Sequence, residues 1–176
     1  MPEAVIVATA RTPIGRAMKG SMKDIRPDDL SLQVVQALLA KVPALDPTEV
    51  EDLYWGTAYP EGRAGNNLAR IIAVLAGLDG LPGSTVNRFC ASSTQTMRMA
   101  FHAIKAGEGD VFISGGVESV SQMLGFRGAG ESDAQVLNPL FADAQARTLE
   151  TAASNATWTD PREQGLLPDA YIAMGQ

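Results

Sequence analysis

The sequence predicts an α/β fold on three observations. Short apolar runs rich in β-branched residues alternate with stretches whose apolar residues recur every three to four positions, and glycines or prolines stand at the joins. Alternation at this spacing implies right-handed crossovers and a mainly parallel, mixed sheet with helices on both faces. The length of 176 residues suits one ordinary domain with a real core, and 45% hydrophobic against 19% charged residues is a globular composition, not a disordered one.

Taken in order, residues 3–9 form a nearly continuous apolar run, the pattern of a strand buried on both faces, and are predicted as the first strand. After "RTPIGRAMKG", Leu30, Val34 and Leu38 recur at i, i+4, i+8, with Val35, Leu39 and Val42 beside them, so a helix is predicted with Asp28 or Asp29 capping its start. Asp46 is placed to cap a short turn begun by Pro47, and Leu53 to Tyr59 read as a second strand. Leu68, Ile71, Ile72 and Leu75 mark one face of the next helix, which Gly77 can end in the left-handed conformation. "LPGSTVNRF" supplies a turn and a short strand, "CASSTQTMRMAFHAIKAG" a helix closed by Gly107, and "DVFISGG" another strand. Beyond about Gly125 periodicity fades, so residues 121–176 are expected to be an irregular excursion of the kind used for lids, binding loops or linkers. The last residues, "DAYIAMGQ", resemble the start of an apolar segment rather than a polar tail, and the chain is expected to be an interrupted one.

The composition also narrows function. A net charge of −6 with 14 dispersed basic residues argues against a surface that follows nucleic-acid phosphates. The apolar runs are too short to span a bilayer, and "MPEAVIVATA" has no basic stretch before its apolar run, so no membrane partner is expected and the cytoplasm is the expected compartment. One cysteine cannot form an internal disulfide, and one histidine offers no repeated metal-ligand spacing.

That cysteine, Cys90, stands where a strand gives way to a helix in "VNRFCASSTQTM". A side chain at the start of a helix faces unpaired backbone N–H groups and the positive end of the dipole, which favour a thiolate and could also stabilise an oxyanion. Ala91, Ser92 and Ser93 leave room for a substrate. Against this stands the ordinary fate of a free cysteine, burial as a small hydrophobe, and the spacing alone leaves both readings open. His102 lies twelve residues away, about 18 Å along a helix, too far to serve as the base for Cys90, and reads as a surface or packing residue. Asn87 and Arg88 are expected to hold backbone or subunit contacts beside the site. Met97, Phe101 and Ile104, with Met99 nearby, read as a core stripe rather than an acyl-binding wall. Glu118 reads as a structural carboxylate at a strand end, and the glycines of "RTPIGR" and "SGGVES" as turn residues.

Together, "VNRFCASS" and "FHAIKAGEGDVFISGGVESVSQM" resemble the active-site region of the thiolases, the acetyl-CoA acetyltransferases and 3-ketoacyl-CoA thiolases. "AVIVATARTPIGR", "GNNLAR" and "AYIAMGQ" follow the same family in the same order. The resemblance implies an N-terminal thiolase domain over residues 1–120, the beginning of an inserted loop domain over 121–176, and a C-terminal half outside this chain. It implies Cys90 as the nucleophile that is acylated by a 3-ketoacyl-CoA and passes its acyl group to CoA, or runs the reverse Claisen condensation, as in fatty acid β-oxidation and related lipid metabolism. It further implies Met174 beside the acyl pocket, a base histidine and a second cysteine in the other half, CoA and acyl-CoA as substrates with no permanently bound cofactor, and a homodimer or homotetramer. On this reading the 176 residues alone are inactive. Ser93 departs from the family's glycine three residues after the nucleophile, which bears on local helix packing. A ketosynthase or hydroxymethylglutaryl-CoA synthase-like condensing enzyme, and a non-catalytic assembly piece, are the alternatives.

Overall fold

The computed structural model describes residues 3–122 and 138–172. These fall into two compact units, one within residues 1–126 and the other within 127–176.

The first unit is built on a three-stranded, all-parallel sheet. Its strands are β1 (Asp52–Gly56), β2 (Gly83–Val86) and β3 (Phe112–Gly116), in the order β2-β1-β3. Leu53 lies opposite Gly83 on one side and Ile113 on the other, which fixes the register. The joining helices are α1 (Pro27–Leu39), before β1, α2 (Leu68–Leu75) between β1 and β2, and α3 (Ser92–Ala106) between β2 and β3. The α/β prediction therefore holds.

Alternation along the strands divides the packing. Leu53, Trp55 and Ile113 share one face and form a core with Val35 of α1 and Leu68, Ala69, Ile72 and Ala73 of α2. The Trp55 indole donates to Ser31 Oγ at 3.0 Å, and that hydroxyl donates in turn to the Pro27 carbonyl at 2.7 Å, so the one polar atom of this large side chain is satisfied inside the core. On the other face Tyr54 stacks on Phe112 with ring centres 5.8 Å apart.

Several predicted elements are corrected. Residues 3–9 form no strand: Val5, Ile6 and Val7 are 68–74% exposed, since no neighbouring backbone pairs with this run among the described residues. Neither Asp28 nor Asp29 caps α1. Pro27 occupies the first turn with Arg26 at the N-cap, and Asp28 instead accepts a 2.7 Å ion pair from Arg26. The second strand stops at Gly56, short of Tyr59. Of the α2 face, Leu68 and Ile72 are buried but Leu75 is exposed. Asp46 does cap its short turn, and Gly77 and Gly107, both at φ 77°, end their helices as expected.

The second unit holds a helix, α4 (Ala142–Ser154), where only irregular structure was expected. Asn138 caps the turn before it, Asn155 ends it at φ 52°, and Arg147 donates to the Leu167 carbonyl at 2.7 Å to fold the following loop back on it. Tyr171 meets Phe141 edge-on and accepts from the Asn138 N–H, closing the unit.

Candidate active site

The site is built at the C-terminal ends of the strands, where parallel sheets present their loops. β2 ends at Val86; Asn87 and Arg88 lead into a tight turn, Phe89–Ala91, and α3 begins at Ser92. Cys90 therefore sits one residue ahead of the N-cap of α3, Ala91, rather than within the first helical turn. It is exposed and is not a core residue, so the burial alternative is set aside.

The turn that carries Cys90 is strained. Phe89 has φ 46°, a left-handed conformation that costs a residue with a Cβ about 1–2 kcal/mol. Hydrogen bonds hold it on both sides. Asn87 Oδ1 accepts from the Phe89 N–H at 2.9 Å, and the Phe89 carbonyl accepts from Ser92 Oγ at 2.6 Å. Ser92 Oγ also accepts from the Arg88 N–H at 2.9 Å. Asn87 thus makes the backbone contact expected of it, whereas the Arg88 side chain donates to another side chain, Gln95 on α3, at 2.8 Å. The Phe89 ring is left exposed, edge-on to Tyr59.

The helix behind the turn lies close against the sheet, and glycine allows it. A Cβ at Gly56 would come within 2.7 Å of the Ser92 carbonyl carbon, and one at Gly116 within 2.2 Å of Ser93 Oγ. The side chains α3 turns inward are correspondingly small or hydroxylic: Ser92, Thr96, Ala100 and Ala103. Thr96 Oγ1 donates to the Ser93 and Gly115 carbonyls, fixing α3 to β3. This overturns the expected core stripe, because Met97 and Phe101 are 54% and 44% exposed while the small-residue face is buried. It also locates the Ser93 departure: its hydroxyl fills the space over Gly116.

Glu118 performs the structural role expected of it. One carboxylate oxygen accepts from the Ala58 N–H at 2.6 Å and the other from Thr57 Oγ1 at 3.4 Å, so a side chain takes over the strand ladder where β1 ends. His102 is exposed on α3, 3.3 Å from Arg98 Nε and edge-on to Phe101, and it belongs to the surface of the helix. Met174 lies outside the described residues. A cleft of about 350 Å³ between the Thr12–Ala17 loop and the Gly116–Ser121 turn does not include Cys90, nor does one of about 500 Å³ in the second unit.

Among the described residues no group of His, Cys, Asp or Glu could hold a metal ion, and no helix is long and apolar enough to cross a membrane. What the arrangement can do is present one thiol at an exposed, braced turn ahead of a helix. The part that sequence reasoning missed is the brace itself. In the sequence Ser92 shows only as a small residue, although Asn two positions before Phe89 is the usual signal of a side-chain-closed turn.

The family model for the thiolase N-terminal domain matches residues 4–151. Over 124 residues the chain is 44% identical to the 3-ketoacyl-CoA thiolases of Aeromonas hydrophila and Aeromonas salmonicida, a stretch covering 70% of this chain and 32% of each relative. It is 43% identical over 122 residues to the 3-ketoacyl-CoA thiolase of Saccharophagus degradans, 69% of this chain and 31% of that one. The matched stretch thus spans about a third of the length of these relatives. With the family model matching most of the chain, the chain belongs to the thiolase family through its N-terminal domain.

Proposed function

We propose that the protein to which this chain contributes is a thiolase-type acyltransferase in which Cys90 is the nucleophile. The observation that carries the reading is an exposed cysteine on a braced strand-turn-helix within a thiolase N-terminal domain. In the thiolytic direction the Cys90 thiolate attacks the C3 carbonyl of a 3-ketoacyl-CoA. The C2–C3 bond breaks, its electron pair leaves on C2 of acetyl-CoA, and a proton delivered to that carbon completes the product. The acyl group, now a thioester on Cys90, is attacked by the deprotonated thiol of CoA, and Cys90 leaves as a thiolate. The reverse sequence is a Claisen condensation.

In this reading residues 1–120 are the N-terminal thiolase domain and 121–176 the beginning of the inserted loop domain, with Met174 beside the acyl group. The proton donor and acceptor come from a C-terminal half. His102 is not one of them, because it is exposed on α3 and engaged with Arg98 and Phe101. CoA and acyl-CoA are substrates, no cofactor stays bound, and the working form is a homodimer or homotetramer in the cytoplasm. The exposed Met97 and Phe101 on α3 support a further domain covering that face.

The test is thiolysis of acetoacetyl-CoA by the whole protein, by the Cys90→Ala variant and by the 176-residue chain alone. Turnover in the first and none in the other two is expected. Turnover by the alanine variant would refute the nucleophile, and turnover by the short chain would refute its dependence on a second half.

A further inference from the structure

We infer that Asn87 and Ser92 are positioning residues that hold Phe89 in its left-handed conformation and thereby set where the Cys90 thiol stands. The inference rests on the reading of Cys90 as nucleophile.

Phe89 is the residue immediately before Cys90, so its two backbone torsions aim the next side chain. Those torsions are unfavourable for phenylalanine, with φ at 46°. Such a conformation persists only where neighbouring groups over-determine it, and the structure shows which groups do so. The Asn87 carboxamide takes the N–H on one side of the Phe89 Cα, and the Ser92 hydroxyl takes the carbonyl on the other. The same hydroxyl accepts from the Arg88 N–H, so a single oxygen ties residues 88 and 89 to the first turn of α3.

The two groups are fixed to different degrees. Ser92 is 3% exposed, held beneath the turn by the close approach of α3 to Gly56. Asn87 is exposed at the end of β2 and is held by its own bond to Phe89. Cys90 takes no part in the clamp, so the clamp governs its placement without touching substrate. The Phe89 ring is 63% exposed and edge-on to Tyr59, so no buried packing of the ring holds the left-handed turn. Glycine would adopt that turn without strain.

This last point supplies the test. Cys90 is the only cysteine, so its alkylation by iodoacetamide reports one thiol without ambiguity. Rates at pH 7 are compared for the 176-residue chain and its Asn87→Ala and Ser92→Ala variants, each with Phe89 and with Phe89→Gly, and circular dichroism confirms that each is folded. With Phe89 present, Asn87→Ala is expected to change the rate by about tenfold, the order of one lost hydrogen bond, and Ser92→Ala, which removes two from the clamp, by at least as much. In the Phe89→Gly background the same variants are expected to change it by less than about twofold, because glycine reaches the turn without the strain that the clamp offsets at Phe89. Equal effects in the two backgrounds, or no effect in either, would overturn the clamp. Should Ser92→Ala fail to fold, the exposed Asn87 completes the cycle by itself. The nucleophile reading fails in a different way: turnover by the Cys90→Ala form of the whole protein counts against it, while the comparison of backgrounds still decides the clamp.

Discussion

Residues 3–9 and strand β1 are both apolar runs that invite assignment as buried strands, yet the structure treats them differently. β1 lies between two parallel neighbours, and Leu53, Tyr54 and Trp55 are buried from both sides of the sheet. The run at 3–9 pairs with no strand among the described residues, though the Lys41 ammonium donates to the Thr9 carbonyl, and its Val5, Ile6 and Val7 side chains are exposed. Composition gives both segments the same tendency. What separates them is whether a neighbouring backbone is there to take their N–H and C=O groups, which is a property of the fold and not of the segment.

The contrast can be broken by truncating both runs. Leu53 is fully buried in the core, so Leu53→Ala is expected to cost about 3 kcal/mol in chemical denaturation. Gly116→Ala follows, at about 1–3 kcal/mol, since a new Cβ would meet Ser93 Oγ and the Gly56 carbonyl oxygen at 2.2 and 2.5 Å. Val5→Ala, by contrast, should stay within about 0.5 kcal/mol of the parent chain. A cost at Val5 comparable to that at Leu53 would show the N-terminal run to be part of the same core.

Two aspartates sharpen the comparison further, because one stands at the start of β1 and the other at the start of α1. Burial raises the Asp52 carboxyl above its ordinary pKa, more than its hydrogen bonds to the Leu53 N–H and Tyr54 lower it, and its Oδ1 lacks a partner. A carboxyl raised in the folded state is a charge the fold disfavours. Its cost is absent below the unfolded pKa of about 3.9 and grows as pH rises through the folded value. Asp52→Asn should therefore raise the thermal midpoint at pH 7 and leave it nearly unchanged at pH 3. Burial also pushes Asp28 upward, but the hydrogen bonds and charge of Arg26 together outweigh it and leave this carboxyl below its ordinary value. Its stabilisation is present above the unfolded pKa and lost as pH falls through the lower folded one. Asp28→Asn should lower the midpoint at pH 7, through a loss of no more than about 1 kcal/mol of stability because Arg26 is half exposed, and the deficit should vanish in acid. A midpoint moving the same way in both variants would contradict the opposite signs assigned to them.

Much of the architecture could be read before folding because local signals agreed with it. Gly77 and Gly107 stand where helices must turn left-handed, Asp46 and Pro47 announce their turn, and "DVFISGG" is bounded by charge and glycine. What escaped reading depended on neighbours. The face of α3 that packs is set by the glycines of β1 and β3, which admit only small side chains, so the large residues Met97 and Phe101 misdirect a periodicity argument. Helix α4 buries little but Ala144, leaving no apolar stripe, although its alanines favour a helix and Asn155 marks its end. At the site, Cys90 was visible as a lone thiol at a strand-helix junction. The Ser92 bonds that brace it were not, because a serine's partners are known only once the turn is closed.

The central claim is that Cys90 carries the acyl group, and the most direct measurement is peptide mapping by mass spectrometry after the whole protein is incubated with acetyl-CoA and quenched in acid. An acetyl group on the peptide containing Cys90, lost on brief treatment with hydroxylamine as a thioester must be, is the expected result. Acetylation at another residue, or an unmodified Cys90 in protein that turns over substrate, would contradict it.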